Sequence, residues 1–92
     1  MIESFRHKGL KRLFEDGDPR GVNAQHVDKI EMILGLLDVA LTVEDLNLPS
    51  FRLHRLTGDL KGLWSVTVRA NWRIVFRFDD GRAFDVDLVD YH

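Results

Sequence analysis

Trp64-Ser65-Val66-Thr67-Val68-Arg69-Ala70-Asn71-Trp72-Arg73-Ile74-Val75-Phe76-Arg77-Phe78 decides the fold. Apolar side chains at 64, 66 and 68 alternate with Ser65, Thr67 and Arg69, and those at 72, 74, 76 and 78 alternate with Arg73, Val75 and Arg77. A period of two marks strands with one apolar face each. The join between them sets where the arginines point. A two-residue loop would place Arg69 opposite Trp72 and set the apolar side of one strand against the basic side of the next. A three-residue loop would place Val68 opposite Trp72, so that Trp64, Val66, Val68, Trp72, Ile74 and Phe76 share a face. A slip of one residue exchanges the faces entirely, so core burial selects the second register. Asn71 is the expected left-handed residue of that loop. Ser65, Thr67, Arg69, Arg73 and Arg77 then lie together on the opposite side.

The same alternation continues on both flanks. Phe84, Val86 and Leu88 alternate with Asp85 and Asp87 after an Asp80-Gly81 turn, and Phe51 and Leu53 alternate with Arg52 and His54. Before Pro49 the period is helical. Leu10, Leu13 and Phe14 form one apolar face that ends at Gly17, and Asp18-Pro19-Arg20-Gly21 is turn chemistry. Asn23 is a suitable N-cap for a second helix carrying Val27, Ile30, Ile33, Leu34 and Leu37 on one stripe. Thr42 to Asp45 has the pattern of a capping box opening a short turn. Ile2 to Phe5 is a candidate first strand. The expectation is an α+β domain over residues 1–92, with two N-terminal helices on one face of an antiparallel sheet and a short N-terminal strand.

Ninety-two residues suffice for one core and not for two. At 45% hydrophobic and 30% charged residues, the composition is that of a folded globule. The chain has no cysteine, which excludes disulfides and thiolate chemistry. Met1 to Lys8 lacks the apolar run of a signal peptide, and no stretch is apolar for the length a membrane span needs. The expected location is cytoplasmic. A net charge of −2 disfavours a protein that coats naked nucleic acid. The charge is segregated, however. Between Phe51 and Arg77 six bases (Arg52, Arg55, Lys61, Arg69, Arg73, Arg77) meet a single acid, Asp59, with acidic segments on either side. Such a block is either a solvated sheet face or an anion-binding one.

His7-Lys8-Gly9-Leu10, Asn47-Leu48-Pro49, Leu53-His54-Arg55-Leu56-Thr57-Gly58-Asp59, Trp64-Ser65-Val66, Asn71-Trp72-Arg73-Ile74 with Phe76, and Asp90-Tyr91-His92 follow one another along the chain. In this order they resemble the HigB branch of the RelE toxin superfamily, essentially from end to end. The resemblance implies a RelE-like fold and cleavage of mRNA on the ribosome, in the A site of the small subunit. It also implies neutralisation by a HigA-type helix-turn-helix antitoxin, with no metal, no small-molecule cofactor and no membrane.

In such toxins the attacking group is the 2′-hydroxyl of the RNA. The protein must remove that proton, stabilise the charge on the phosphorane and protonate the leaving 5′-oxygen. His54 and His92 match the family's histidines, and imidazole suits acid–base work near neutrality. Asp90 could orient an imidazole, and Tyr91 could stack on a base or donate its hydroxyl. Arg73 is the expected ligand of the scissile phosphate, since guanidinium contacts phosphate in a bidentate way. Arg52, Arg55, Lys61, Arg69 and Arg77 are the further RNA- or phosphate-binding candidates. Plainer readings stand beside these: a strand histidine is commonly a surface residue, Arg77 a solvated one, and residues 90–92 a frayed end. Trp64 and Trp72 fall on the apolar parity and are expected in the core.

Two positions depart from the pattern, which has lysine where this chain has Thr57 and proline where it has Arg55. A RelE fold that has lost its chemistry and only pairs with an antitoxin is therefore the alternative function. No histidine spacing typical of a metal site is present, and neither is a glycine-rich phosphate loop or a nucleophile elbow.

Overall fold

The computed structural model describes residues 1–91. Two helices, α1 (Lys8–Asp16) and α2 (Val27–Val39), precede four strands: β1 (His54–Arg55), β2 (Trp64–Arg69), β3 (Trp72–Asp79) and β4 (Arg82–Asp90). The strands pair antiparallel in chain order. Short 3₁₀ turns at Pro19–Gly21, Ala24–His26, Val43–Leu46 and Gly58–Leu60 fill the connections.

Local chemistry sets the helix ends. His7 Nδ1 accepts from the Leu10 N–H at 3.1 Å at the start of α1, and Gly17 closes it at φ 68°, donating to the carbonyls of Arg12 and Leu13. Asn23 caps the 3₁₀ turn that leads into α2 through Oδ1, which accepts from Gln25 N–H at 2.8 Å. The Asp45 carboxylate accepts from the N–H groups of Leu41 and Thr42, the return half of a capping box.

One core joins helices and sheet. Leu10, Leu13, Ile30, Ile33, Leu34 and Leu37 meet Phe51, Val66, Val68, Ile74, Phe76, Ala83 and Val86, nearly all without exposure. Burial of these groups on one side of the sheet drives the assembly and leaves the other side for a site.

The central register is the one that core burial selects: Val66 faces Ile74 and Trp64 faces Phe76. The turn itself differs from expectation. Arg69 pairs with Trp72 across a two-residue tip, Ala70 rather than Asn71 takes the positive φ (51°), and the extra residue is absorbed as a bulge between Thr67 and Arg69. Trp64 is half-buried against the core, whereas Trp72 is 37% exposed and not a core residue. Phe84 also departs from the parity expected of it. Asp85, at φ 55°, forms a bulge opposite Phe76, so Ala83 takes the core position and Phe84 pairs with Arg77. The strand expected over Phe51–His54 is reduced to His54–Arg55 because Arg52 is left-handed (φ 48°). Finally, residues 2–5 make two isolated parallel bridges to β4, Ile2 to Ala83 and Phe5 to Val86, instead of a strand. The Asp85 bulge lies between the two, where Ser4 Oγ accepts from Asp85 N–H at 2.8 Å.

Candidate active site on the outer sheet face

Pairing places the side chains of the outer face in rows. His54 sits beside Ser65, Ser65 beside Val75, and Val75 beside Asp87; one step along, Thr67 is followed by Arg73 and Val89. Residues paired across an antiparallel ladder share a face, and the next residue of the same parity lies two along. Tyr91 thus follows Val89 on the Arg73 side, and its N–H is fixed by the Asn71 carbonyl at 2.7 Å.

Arg73 is the best-held of the candidates. Its Nη1 donates to Ser65 Oγ at 3.4 Å, its guanidinium carbon lies 5.0 Å from the centre of the Tyr91 ring, and its Nε is buried without a hydrogen-bond partner. Ser65 has no exposure. A cation over an aromatic face with a neutral hydroxyl beside it is suited to receiving an anionic ligand. Elsewhere on the surface, Arg77 lies 4.4 Å over the Phe84 ring and 3.7 Å from the Asp85 carboxylate, and Arg55 sits 5.5 Å from the Trp64 ring. Arg52, Arg69, Lys61 and Thr57 are exposed; Lys61 follows the Gly58–Leu60 turn and Thr57 precedes it. Arg69, expected beside Arg73, pairs instead with Trp72 past the bulge after Thr67 and so leaves the Arg73 face.

His54, Arg73 and Tyr91 therefore share one face. Asp90 does not, because its pairing with Trp72 sends it to the helix side of the sheet. His92 lies outside the described residues. Arg52 cannot be assigned to the His54 face by strand parity, since its left-handed backbone is outside the strand.

The outer face is less open and less basic than the sequence implies. A groove of about 410 Å³ runs over Val75 and Val89 between Leu60, Leu63 and Tyr91, and Val75 is buried. Asp59, Asp85 and Asp87 line it with Arg6. Linear charge counting set Asp85 and Asp87 apart from the basic block, whereas β4 and the 58–63 turn bring them together with Asp59. A second cavity, of about 270 Å³, opens on the helix side by Trp72 and His26, which no sequence pattern announced. Among the described residues, no three His, Cys, Asp or Glu side chains stand where they could hold a metal ion. No helix among them is long and apolar enough to cross a membrane.

The family model for the RelE-like toxin of the type II toxin–antitoxin system HigB matches residues 3–92. The chain belongs to that family. It is 52% identical over 92 residues to "Endoribonuclease HigB" of Proteus vulgaris, with all of both chains covered. It is 30% identical over 90 residues to "Toxin HigB-1" of Vibrio cholerae serotype O1, covering 96% of this chain and 95% of that one. Among solved structures, a YafQ mutant from E. coli superposes with a TM-score of 0.64 at 19% identity, covering 98% of this chain and 91% of the other. A chain of the YoeB–YefM complex from Staphylococcus aureus gives 0.60 at 20% identity, covering 100% and 95%. These two likenesses show a shared α+β fold. Membership of a type II toxin family also implies an antitoxin partner for this toxin.

Proposed function

We propose that this toxin, an endoribonuclease of a type II toxin–antitoxin pair, cuts mRNA in the ribosomal A site by internal attack of a ribose 2′-hydroxyl. The reading rests on its family, on its likeness to the P. vulgaris endoribonuclease and above all on Arg73, whose guanidinium is held between Ser65 and Tyr91. The 2′-oxygen bonds to phosphorus, the bond from phosphorus to the 5′-oxygen breaks, and the products are a 2′,3′-cyclic phosphate and a 5′-hydroxyl. Arg73 binds the non-bridging oxygens and is worth most as their charge grows. Proton removal and return fall to His54, Tyr91 and His92. Asp90 acts by fixing the chain beside Tyr91, since its own side chain starts from the other face. Arg52, Arg55, Lys61, Arg69 and Arg77 hold flanking phosphates of mRNA or ribosomal RNA. The mechanism draws on no cofactor and no metal.

The partner is a HigA-type helix-turn-helix antitoxin, the location is cytoplasmic, and the fold is RelE-like with both helices on one face of the sheet. The test is to induce the chain alone and with its antitoxin, then map mRNA ends. Growth arrest relieved by the antitoxin, with new 2′,3′-cyclic phosphate and 5′-hydroxyl ends, supports the proposal. Arrest without new ends would favour a binding module over an enzyme.

A further inference from the structure

Helix α1 carries its charges in the order a helix disfavours. Lys8, Lys11 and Arg12 stand in its N-terminal half and Glu15 and Asp16 at its end, with no acid in the first turn and no base in the last. The positive end of the helix dipole therefore meets cations and the negative end meets carboxylates, each an unfavourable placement. Lys8 and Arg12 are also four residues apart, the spacing at which like charges on a helix repel. All three basic side chains are exposed. Ion pairs among the described residues join Arg20 to Asp18, Arg77 to Asp85 and Arg82 to Glu3, so none relieves this cluster. Asp18, which Arg12 influences across space, is already bound by Arg20. A local arrangement that weakens its own helix is expected where another molecule supplies the missing negative charge.

We infer that this face of α1 is a docking surface for ribosomal RNA, gripped through its backbone phosphates. The other side of the helix is fixed, so the cations are presented on a firm support. Leu10 and Leu13 are buried in the core, and Gly9 lies so close to Gly21 that a Cβ on either would overlap the backbone of the other. The class of partner follows from the lack of an apolar anchor. Protein interfaces centre on aromatic and apolar side chains and are depleted of lysine. Here the exposed apolar side chains stand elsewhere, Met32 and Val39 on α2 and Leu41 after it, while Phe14 of α1 packs against Phe5. Phosphate backbones are bound by point charges without such an anchor. The surface also belongs to the helix side of the sheet, whereas Arg73 leaves the outer face. One extended mRNA strand on Arg73 would reach α1 only by wrapping around a body 31 × 28 × 24 Å in extent. The phosphates at α1 therefore belong to the walls of the site that holds the mRNA. The toxin then sits as a wedge, with mRNA against the sheet and ribosomal RNA against the helix. This gives a use to Lys8 of the His7-Lys8-Gly9-Leu10 segment, which the Arg73 face leaves unexplained.

Docking of this kind presupposes that the toxin works at the ribosome, as proposed, and the test keeps the two apart. Binding of the labelled full chain to vacant ribosomes, which hold no mRNA, is measured against salt for the parent and for the triple variant Lys8→Gln, Lys11→Gln, Arg12→Gln. The variant should bind at least about tenfold more weakly at physiological salt, with the slope of log K against log salt reduced by about 2–3, as expected for three lost phosphate contacts. On programmed ribosomes its KM should rise while kcat stays within about twofold, the signature of binding lost outside the chemistry. Its melting temperature should rise by about 2–5 °C at low salt, because the conflict with the helix dipole is relieved. Equal binding by the variant and a parent that does bind would overturn the inference and leave the proposed reaction standing. A parent that binds no ribosomes would remove both. Weakening confined to programmed ribosomes would assign these side chains to mRNA, and weakening confined to the antitoxin complex would assign them to an acidic protein; either contradicts the inference. A variant that melts below the parent would show that the charges serve the fold, and would contradict it too.

Discussion

Arg73 and Tyr91 stack, the guanidinium carbon 5.0 Å from the ring centre, so the cation on β3 and the aromatic residue following β4 form one unit. Contacts of this kind contribute on the order of 0.5–1 kcal/mol at exposed sites. Tyr91→Phe keeps the ring and removes the hydroxyl, whereas Tyr91→Ala removes both. If the hydroxyl takes part in proton transfer, Phe should lower kcat by about 10²-fold or more with little change in KM. If the ring only supports Arg73, Phe should resemble the parent chain and Ala should show the loss. Single-turnover cleavage by the two variants distinguishes these roles.

Arg73→Ala should slow cleavage by about 10²–10³-fold, the scale of losing one group that stabilises developing charge. Lysine should restore only part of this, lacking the bidentate fork. Because Ser65 is fully buried and would lose its partner, Arg73→Ala should also cost about 1–2 kcal/mol of stability. Arg73→Ala,Ser65→Ala should recover some of that stability and none of the activity. Denaturant melts and cleavage rates on the same proteins check both parts.

Much of the fold could be read in the sequence because burial on one face imposes a period. The Val66–Ile74 register, the core stripes of α1 and α2 and the Asp80-Gly81 turn all follow from that. What escaped were breaks in periodicity that leave no mark in composition. Asp85 and Arg52 are left-handed without being glycine, and their effects on Phe84 and on β1 depend on tertiary contacts such as that of Ser4 with Asp85. For the site, the shared face of Ser65, Thr67 and Arg73 was legible from strand parity, whereas His54 joins it through its pairing with Ser65. The acid-lined groove was not, because its carboxylates come from separate segments, and neither was the Trp72 cavity, whose walls come from the start of α1, the 19–26 turns, β3 and β4.

Gly9→Ala should destabilise the chain by about 1–3 kcal/mol, the usual cost of forcing extra volume into a packed contact. An added Cβ has no free space, since it would overlap the Gly21 carbonyl. Gly35→Ala is the control, with nothing within 4 Å of its Cβ on the same kind of element. It should be neutral or slightly stabilising, because alanine favours the helix. Thermal melts of the two variants measure the difference.

Acid titration should expose the Asp18–Arg20 pair. The side-chain hydrogen bond from Arg20, followed by that from its backbone N–H, lowers the Asp18 carboxyl from 3.8 to about 2. A folded-state value below the unfolded one means that the contribution is complete above pH 4 and lost as the pH falls through 2. Its size is small because solvent screens the pair. Asp18→Asn should remove this part of the acid dependence while leaving that of Asp45, which is also lowered, by the Leu41 and then the Thr42 N–H groups. Stability curves between pH 2 and pH 5 for the parent and Asp18→Asn chains test the sign.

The proposal that the ribosome takes part in the reaction is tested most directly by cleavage of one mRNA presented free and in a programmed ribosome complex. With a net charge of −2 and carboxylates lining the groove beside Arg73, the chain should hold free RNA weakly at physiological salt. In-line attack also needs an extended backbone that a free strand adopts only part of the time, and positioning of the kind the ribosome can supply contributes several kcal/mol to lowering the barrier. The expected result is cleavage in the A site at least about 10³-fold faster than in free RNA, unchanged by chelator so long as the ribosomes stay intact. Equal rates in the two settings would contradict the account.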